Sequence, residues 1–506
     1  MALQQWYGII AWGVLLFASC TSPRASQSLL TRKYAPAALK EDMVLLKKIL
    51  EANHPSLYWY TPKDSLDAGF AAIAGSITDS LTEVQFRNKV AAFISQIRCG
   101  HTAVRFSNAY TRAAIHSERP QFPLFIKTWG DSMVVLGSAF RRDSIFKRGT
   151  IITGINQMSN RQLLDSMFRL ISTDGYADNF KSQVISMNFP VYFRNTFGLS
   201  DRYTVRYIDS SGQEKTAELG NYDVHTDTTR RSFTASHTPP LTRKELRQAE
   251  LASKRSLQLD TASQTAYMRL TTFSEGRLRD FFSRSFRQLK KNHIQHLVID
   301  LRENGGGSIA VSTLLTRYLV QHPFKIADTI SAASRRFRYG RYIHPSWVYW
   351  LSMRFTSHKE SDGRFHFGRY ERHVFRPVKN NHFDGNIYLL QGGYTFSAAT
   401  MFIANLKGEK NVTVLGEETG GGSYGNSSVH LPTIKLPHSG LKIILPMYRI
   451  VLNRNNTKTG RGIVPDIPVY PSSAAIRRGA DVKMEQVQAL ISAGNRQESH
   501  TGSTLQ

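Results

Sequence analysis

Apolar residues recur at helical spacing through residues 34–110. Met43, Leu46, Ile49 and Leu50 fall on one face, and Phe86, Val90, Phe93 and Ile97 follow at steps of four, three and four. Thr82 and Gln85 have the spacing of a capping box, which opens a helix. Gly100 is the residue expected just past the end of that helix. His101 and Thr102 then sit beyond a buried helix end. From about Pro120 to Tyr207 the apolar runs shorten to strand length, with turns between them. Residues 221–258 lose apolar content and carry seven Lys/Arg against four Asp/Glu with Pro239-Pro240, the pattern of a linker or long exposed loop.

Residues 259–470 alternate strand and helix. His296 to Leu301 is a continuous apolar run, as expected of a strand buried on both faces, and Ser308 to Val320 should be the helix after it. Asn386 to Leu390 and Val412 to Leu415 read as further strands, with a helix over Ala398 to Leu406. The pattern predicts a multidomain α/β chain. It divides into an N-terminal helical domain (20–115), a β module (120–215), a linker (216–258), an α/β core (259–475), and a C-terminal helix with a polar, disordered tail (476–506). No internal repeat is visible.

Composition narrows the class. The chain has 506 residues, 41% hydrophobic and 20% charged, which excludes disorder throughout and a polytopic membrane protein. Two cysteines exclude a disulfide scaffold or a cysteine-based zinc cluster, and no His-x-x-x-His pair with a nearby carboxylate suggests another metal site. No cofactor is expected. The net charge of +27, from 65 Lys+Arg against 38 Asp+Glu, favours anionic surroundings: a membrane surface, envelope glycans or nucleic acid.

Residues 6–18 form an apolar run too short to span a bilayer comfortably, followed by a polar stretch, the shape of a secretory leader. The ending Phe17-Ala18-Ser19-Cys20 resembles a bacterial lipobox. That resemblance implies removal of residues 1–19 and lipidation of Cys20, and hence a lipid-anchored body in the bacterial cell envelope, at the outer membrane or facing the periplasm.

Three turns follow predicted strands at their carboxyl ends, where open α/β sheets bind ligands. Asp300-Leu-Arg-Glu-Asn-Gly-Gly-Gly307 places three glycines between a strand and a helix, so its amides can approach developing negative charge. In Gly392-Gly-Tyr-Thr-Phe-Ser397-Ala, Ser397 opens a helix with the Ala398 amide beside it; Ser is also a favoured helix cap. Gly416-Glu-Glu-Thr-Gly-Gly-Gly422 is a further glycine-rich turn, either a cradle or a simple bend.

In this order, together with Gly462-Ile-Val-Pro-Asp-Ile467, the turns resemble the C-terminal-processing (tail-specific) serine peptidase family over roughly residues 260–470. The resemblance implies a crotonase-like peptidase core and makes Ser397 the nucleophile. Amides around Gly305, Gly306 and Ala398, with Gly420 and Gly421, would hold the oxyanion or substrate. Residues 149–156 resemble part of a PDZ module. A polypeptide is the implied substrate.

Many relatives carry a lysine base 25 positions beyond the serine; here that position is Gly422, and Lys407, Lys410 and Lys435 do not match the motif. Another branch uses a histidine in a Gly-His-Thr step, present here as Gly100-His101-Thr102. His101 is therefore the candidate general base. That branch also has a Glu before the Gly-Ile-x-Pro-Asp step. Residues 453–462 hold no carboxylate, which leaves Asn455, Asn456, Glu417 or Glu418 to orient the imidazole, with Asn456 named for the role. Without such a partner, the same scaffold could be a catalytically weak or inactive envelope protein that binds peptides or apolar ligands.

The insert 334–379 interleaves cations with rings, as in Arg335-Arg-Phe-Arg-Tyr-Gly-Arg-Tyr342 and Trp347-Val-Tyr-Trp-Leu351. It suits a membrane surface, a partner or a lid over substrate. Nucleic acid is not the expected partner of an exported chain.

Overall fold

The structure is a computed structural model that describes residues 23–115, 117, 119–226 and 242–502. Cys20 and the leader lie outside the described residues, as do the middle of the expected linker and residues 503–506. Among the described residues no helix is long and apolar enough to cross a membrane.

After a short helix over Pro23–Thr31, the N-terminal domain is built on α1 (Pro36–Asn53), α2 (Lys63–Gly75) and α3 (Glu83–Ser95). Helix α3 begins with the Thr82–Gln85 capping box, each residue answering the other's free amide. It stops earlier than Gly100. The chain tightens over Gln96 and Ile97, and Arg98 takes φ 57°, which ends the helix. Gly100 has a different job: a Cβ there would lie 2.4 Å from the Phe396 ring.

The middle module is an antiparallel sheet of β1 (Leu124–Trp129), β2 (Ser132–Ser138), β3 (Ile151–Ile155), β4 (Arg202–Ile208) and β5 (Glu214–Gly220), ordered as numbered. It also contains helices that strand-length reading missed: α4 (Asn160–Phe168), α5 (Asp178–Met187) and α6 (Phe189–Phe197). The missed signals were a second capping box, Ser159–Gln162, and the spacing of Leu163, Leu164 and Met167, all buried against the sheet.

The segment expected to be a linker is more ordered than its composition suggests. Thr242 caps α7 (Arg243–Lys254), a helix with no buried residues, which runs directly into β6 (Arg255–Asp260). Its hydrophilicity is that of a solvent-exposed helix.

The core sheet runs β6, β7 (Thr265–Leu270), β8 (His296–Asp300), β9 (Asn386–Gln391), β10 (Val412–Gly416) and β11 (Ile467–Pro468). All neighbours are parallel except β6–β7. Leu297, Ile299, Ile387, Leu389 and Val414 pack on one face with α8 (Leu278–Lys291), α9 (Ile309–Arg317) and the helix after β9. Val298, Leu390 and Leu415 pack on the other, beneath a C-terminal helix over Val482–Gly502. Burial on both faces explains the unbroken apolar strands. That last helix continues past Asn495, where a polar tail without structure was expected.

A second, antiparallel layer grows from the core. It includes Thr329–Ala332, Gly425–Ser428 and Tyr448–Val451 in one sheet, with Thr433–Lys435 and Lys442–Ile444 in another. Val104–Arg105 from the N-terminal domain joins the edge of the latter, Val104 opposite Ile443. The N-terminal helices and this layer share one apolar core.

Candidate active site

The turn that carries Ser397 is built by hydrogen bonds from the β9 end. Thr395 N–H donates to Gly392 O at 2.9 Å, and Thr395 Oγ1 donates to Leu301 O at 2.8 Å. Phe396 N–H donates to Asn304 O at 3.0 Å, tying this turn to the Asp300–Gly307 turn. The chain then reverses into α10 (Ala398–Leu406), with Ser397 held at φ 54° and ψ −123°. A side chain rarely adopts that conformation; here it presents the hydroxyl at a sharp strand-to-helix bend.

His101 arrives from the N-terminal domain. Its Nε2 lies 3.0 Å from Ser397 Oγ. Three contacts fix the segment. Gly100 N–H donates to Asp174 Oδ1 at 2.8 Å, Ile444 N–H donates to Ala103 O at 3.0 Å, and Thr102 Oγ1 lies 2.9 Å from His54 Nε2. The imidazole also leans on Phe396, ring centroids 4.8 Å apart. Burial lowers the His101 pKa from 6.5 to about 4, because the charged ring would lose its hydration. The ring is therefore neutral near pH 7 and can accept a proton.

Ser397 and His101 open on a cavity of about 630 Å³. Gly305, Gly306, Gly307 and Tyr394 form one wall; Ile309, Phe367, Tyr370 and Leu431 form others. Phe367 and Tyr370 come from the insert, which thus reaches the site. Among the described residues no Asp, Glu, Lys or Arg lines the cavity.

The glycines divide by role. Gly306 (φ 95°) lies so close to Ser397 that a Cβ would stand 2.7 Å from Ser397 Cβ and 2.9 Å from Ala398 N. Its own N–H already donates to Asn304 Oδ1 at 2.9 Å. The Ala398 amide, first in α10, has no acceptor in its own helix. Gly420 and Gly421 do not line the cavity. Both amides donate to Thr395 O, at 3.1 and 3.2 Å, and a Cβ on Gly421 would strike Thr400 Oγ1. They let the third turn pack beneath the Ser397 turn rather than line the cavity.

The residue named to orient His101 is elsewhere. Asn456 and Asn455 are exposed on a surface loop, and His101 Nδ1 is buried with no hydrogen-bond partner among the described residues. Glu417 is buried against Lys483 at 2.9 Å; Glu418 is held by Arg461 and accepts from Gly462 N–H at 2.6 Å. Neither is available to the imidazole. The lysines are remote in function too: Lys407 pairs with Asp466, and Lys410 and Lys435 are exposed. At Gly422 a Cβ would meet Gly425 O at 2.5 Å, so the lysine position of relatives has no room here.

Asp174 was not singled out from the sequence. It is buried, and besides Gly100 N–H it accepts from Gly422 N–H at 3.4 Å. Burial pushes its pKa from 3.8 up to about 7, partly offset by those two amides. Asp174 thus joins the segment carrying His101 to the loop under Ser397. Nothing in its local sequence, Ser172-Thr173-Asp174-Gly175, marks it. Nearby, Phe180 of α5 stacks on Phe396 at 4.8 Å, so the middle module also braces the Ser397 turn.

Residues 264–469 match the family described as Peptidase family S41. The core belongs to peptidase family S41. The protein is a serine-type peptidase, and its polypeptide substrate follows from that class. No curated protein sequence matches the chain. Among solved structures, mature CPAF superposes with a TM-score of 0.61 at 13% identity, covering 87% of this chain and 94% of that one. Mature CPAF complexed with lactacystin gives 0.61 at 13%, covering 90% and 98%. The photosystem II D1 C-terminal processing protease gives 0.39 at 14%, covering 88% and 98%. At such identities the likeness to CPAF is one of fold.

Proposed function

We propose that this S41 peptidase is an exported, lipid-anchored endopeptidase acting through an acyl-enzyme on Ser397, with His101 as general base. As Ser397 Oγ bonds to the peptide carbonyl carbon, its proton passes to His101 Nε2. The oxyanion is held by the Ala398 amide with an amide of the Gly305–Gly307 turn. The C–N bond then breaks, and the same imidazole gives its proton to the leaving amine. Water repeats the sequence on the ester and frees Ser397. The chemistry needs no cofactor.

The single observation carrying this reading is the 3.0 Å approach of His101 Nε2 to Ser397 Oγ at the cavity wall. Export and the anchor rest on the apolar leader and the lipobox-like Phe17–Cys20; the PDZ-like role of the middle module rests on residues 149–156. One observation favours the second reading, a catalytically weak or inactive ligand-binding protein: His101 Nδ1 has no partner to stabilise the imidazolium.

Digestion of a reduced, unfolded protein with mass-spectrometric identification of the products separates the two. Internal cleavage that disappears in Ser397→Ala supports the endopeptidase. Equal cleavage by that variant overturns it.

A further inference from the structure

Helix Ser346–Thr356 lies in the insert and wears its apolar residues outward. Trp347 is 69% exposed, Trp350 45% and Phe355 82%; Val348 and Leu351 are exposed beside them. At 100° per residue these positions form one continuous face. The opposite face is the one packed on protein: Met353 is fully buried, Ser352 Oγ lies 3.1 Å from His430 Nε2, and Tyr349 packs on the His430 ring. The helix therefore turns a broad aromatic surface to solvent, which a soluble chain does not keep without a use.

The charge around that face selects its occupant. Residues 329–359 carry six Lys/Arg (Arg335, Arg336, Arg338, Arg341, Arg354 and Lys359) and no Asp or Glu. All but Arg335 are exposed, and Arg354 lies within the apolar face itself. Two tryptophans beside arginines on a short helix match the interfacial zone of a bilayer, where indole rings sit at headgroup depth and cations meet anionic lipid. A second copy of this chain fits poorly, since pairing the face with itself would oppose two such basic segments within a net charge of +27 each.

We propose that helix Ser346–Thr356 seats the protein on an anionic bilayer surface, independently of any lipid on Cys20. Trp347, Trp350 and Phe355 enter the interface and the flanking cations pair with headgroups. The face has a direct relation to the peptidase cavity. His430, which the helix grips from its inner side, lines that cavity together with Val429 and Leu431. Seating the helix would place the His430 wall of the cavity about one helix diameter from the membrane surface. The substrate class that this favours is a polypeptide segment lying at the bilayer interface, an assignment that rests on the peptidase reading.

The test uses the full chain and the full-length triple variant W347S/W350S/F355S, so that the leader is common to both. Partition is measured onto phosphatidylglycerol/phosphatidylethanolamine vesicles and onto pure phosphatidylcholine vesicles, with a parallel series containing brominated acyl chains. The wild type should bind the anionic vesicles about tenfold or more tightly than the variant, lose binding as salt is raised, and show more tryptophan quenching than the variant, whose Trp6 and Trp12 in the common leader are shared with the wild type. Hydrolysis of a short soluble peptide should be equal in the two proteins. Equal partition and quenching would overturn the proposal. So would a wild-type dimer that the variant loses, which gives the face to a second copy, or oligonucleotide binding that the variant loses, which gives it to nucleic acid. Vesicle binding is read without hydrolysis, so an inactive protein that still partitions as described would count against the peptidase reading alone.

Discussion

His101 Nε2 stands 3.0 Å from Ser397 Oγ although 296 positions separate the two residues in the chain. Each comes from a different part of the fold, and each is held in place by hydrogen bonds of its own segment rather than by the other. The pair is thus set up before substrate arrives, which is the condition for efficient proton transfer.

Replacing the base should expose its contribution. His101→Ala is expected to lower kcat by about 10²–10⁴ with the fold intact, the usual loss for a general base. Steady-state kinetics on a peptide with circular dichroism as the fold control checks this. Unchanged turnover would remove His101 from the mechanism.

Burial of His101 sets the acid limb of the pH profile. The imidazole must be neutral to accept the serine proton, and burial lowers its pKa to about 4. Log kcat/KM should therefore rise with pH up to about 4 and stay level above it, rather than bend near 6.5. The same shift affects stability. The unfolded chain binds the proton more readily than the folded one between pH 6.5 and 4, so this group's contribution is complete above 6.5 and is lost as pH falls through that window.

Asp174 is a positioning residue. Its carboxylate holds Gly100 N–H and Gly422 N–H, and so joins the two halves of the dyad. Asp174→Ala should cost about 1–3 kcal/mol for the amides left without acceptors and should lower kcat more than it raises KM. Thermal unfolding and a kcat-against-KM comparison read the two effects separately. With the folded pKa raised to about 7, the group is more protonated in the folded chain than in the unfolded one from about pH 4 to 7. Its contribution is present at low pH and falls as pH rises through that window, and the variant should lose this dependence.

Strain at Ser397 gives a test independent of activity. Its φ of 54° with ψ −123° suits glycine. Ser397→Gly and Ser397→Ala should both be inactive. The glycine variant should be the more stable by roughly 1 kcal/mol, because only the alanine keeps the penalised Cβ. Equal melting temperatures would show that the turn stores no such strain.

Much of this was readable in the chain itself, for definite reasons. Strand His296–Asp300 and helix Ala398–Leu406 are apolar almost throughout, and such segments declare themselves. Ser397 and His101 were legible through their motif settings. The hydrophilic helix Arg243–Lys254 was hidden because its composition is that of a loop. Gly420 and Gly421 were given a ligand role that belongs to packing, since a glycine in sequence does not reveal whether its amide or its missing Cβ is needed. Asp174 was invisible because its partners lie 74 and 248 positions away. Asn456 was named for its place before the Gly462 step, and the fold puts it on the surface instead.

The central claim is that the Ser397 hydroxyl is activated by His101. Labelling with a fluorophosphonate, followed by peptide mapping, measures this most directly. The account predicts rapid modification of the wild type at Ser397, no modification of Ser397→Ala, and strongly slowed modification of His101→Ala. Wild-type protein that stays unmodified, or a His101→Ala variant labelled at the wild-type rate, would contradict it.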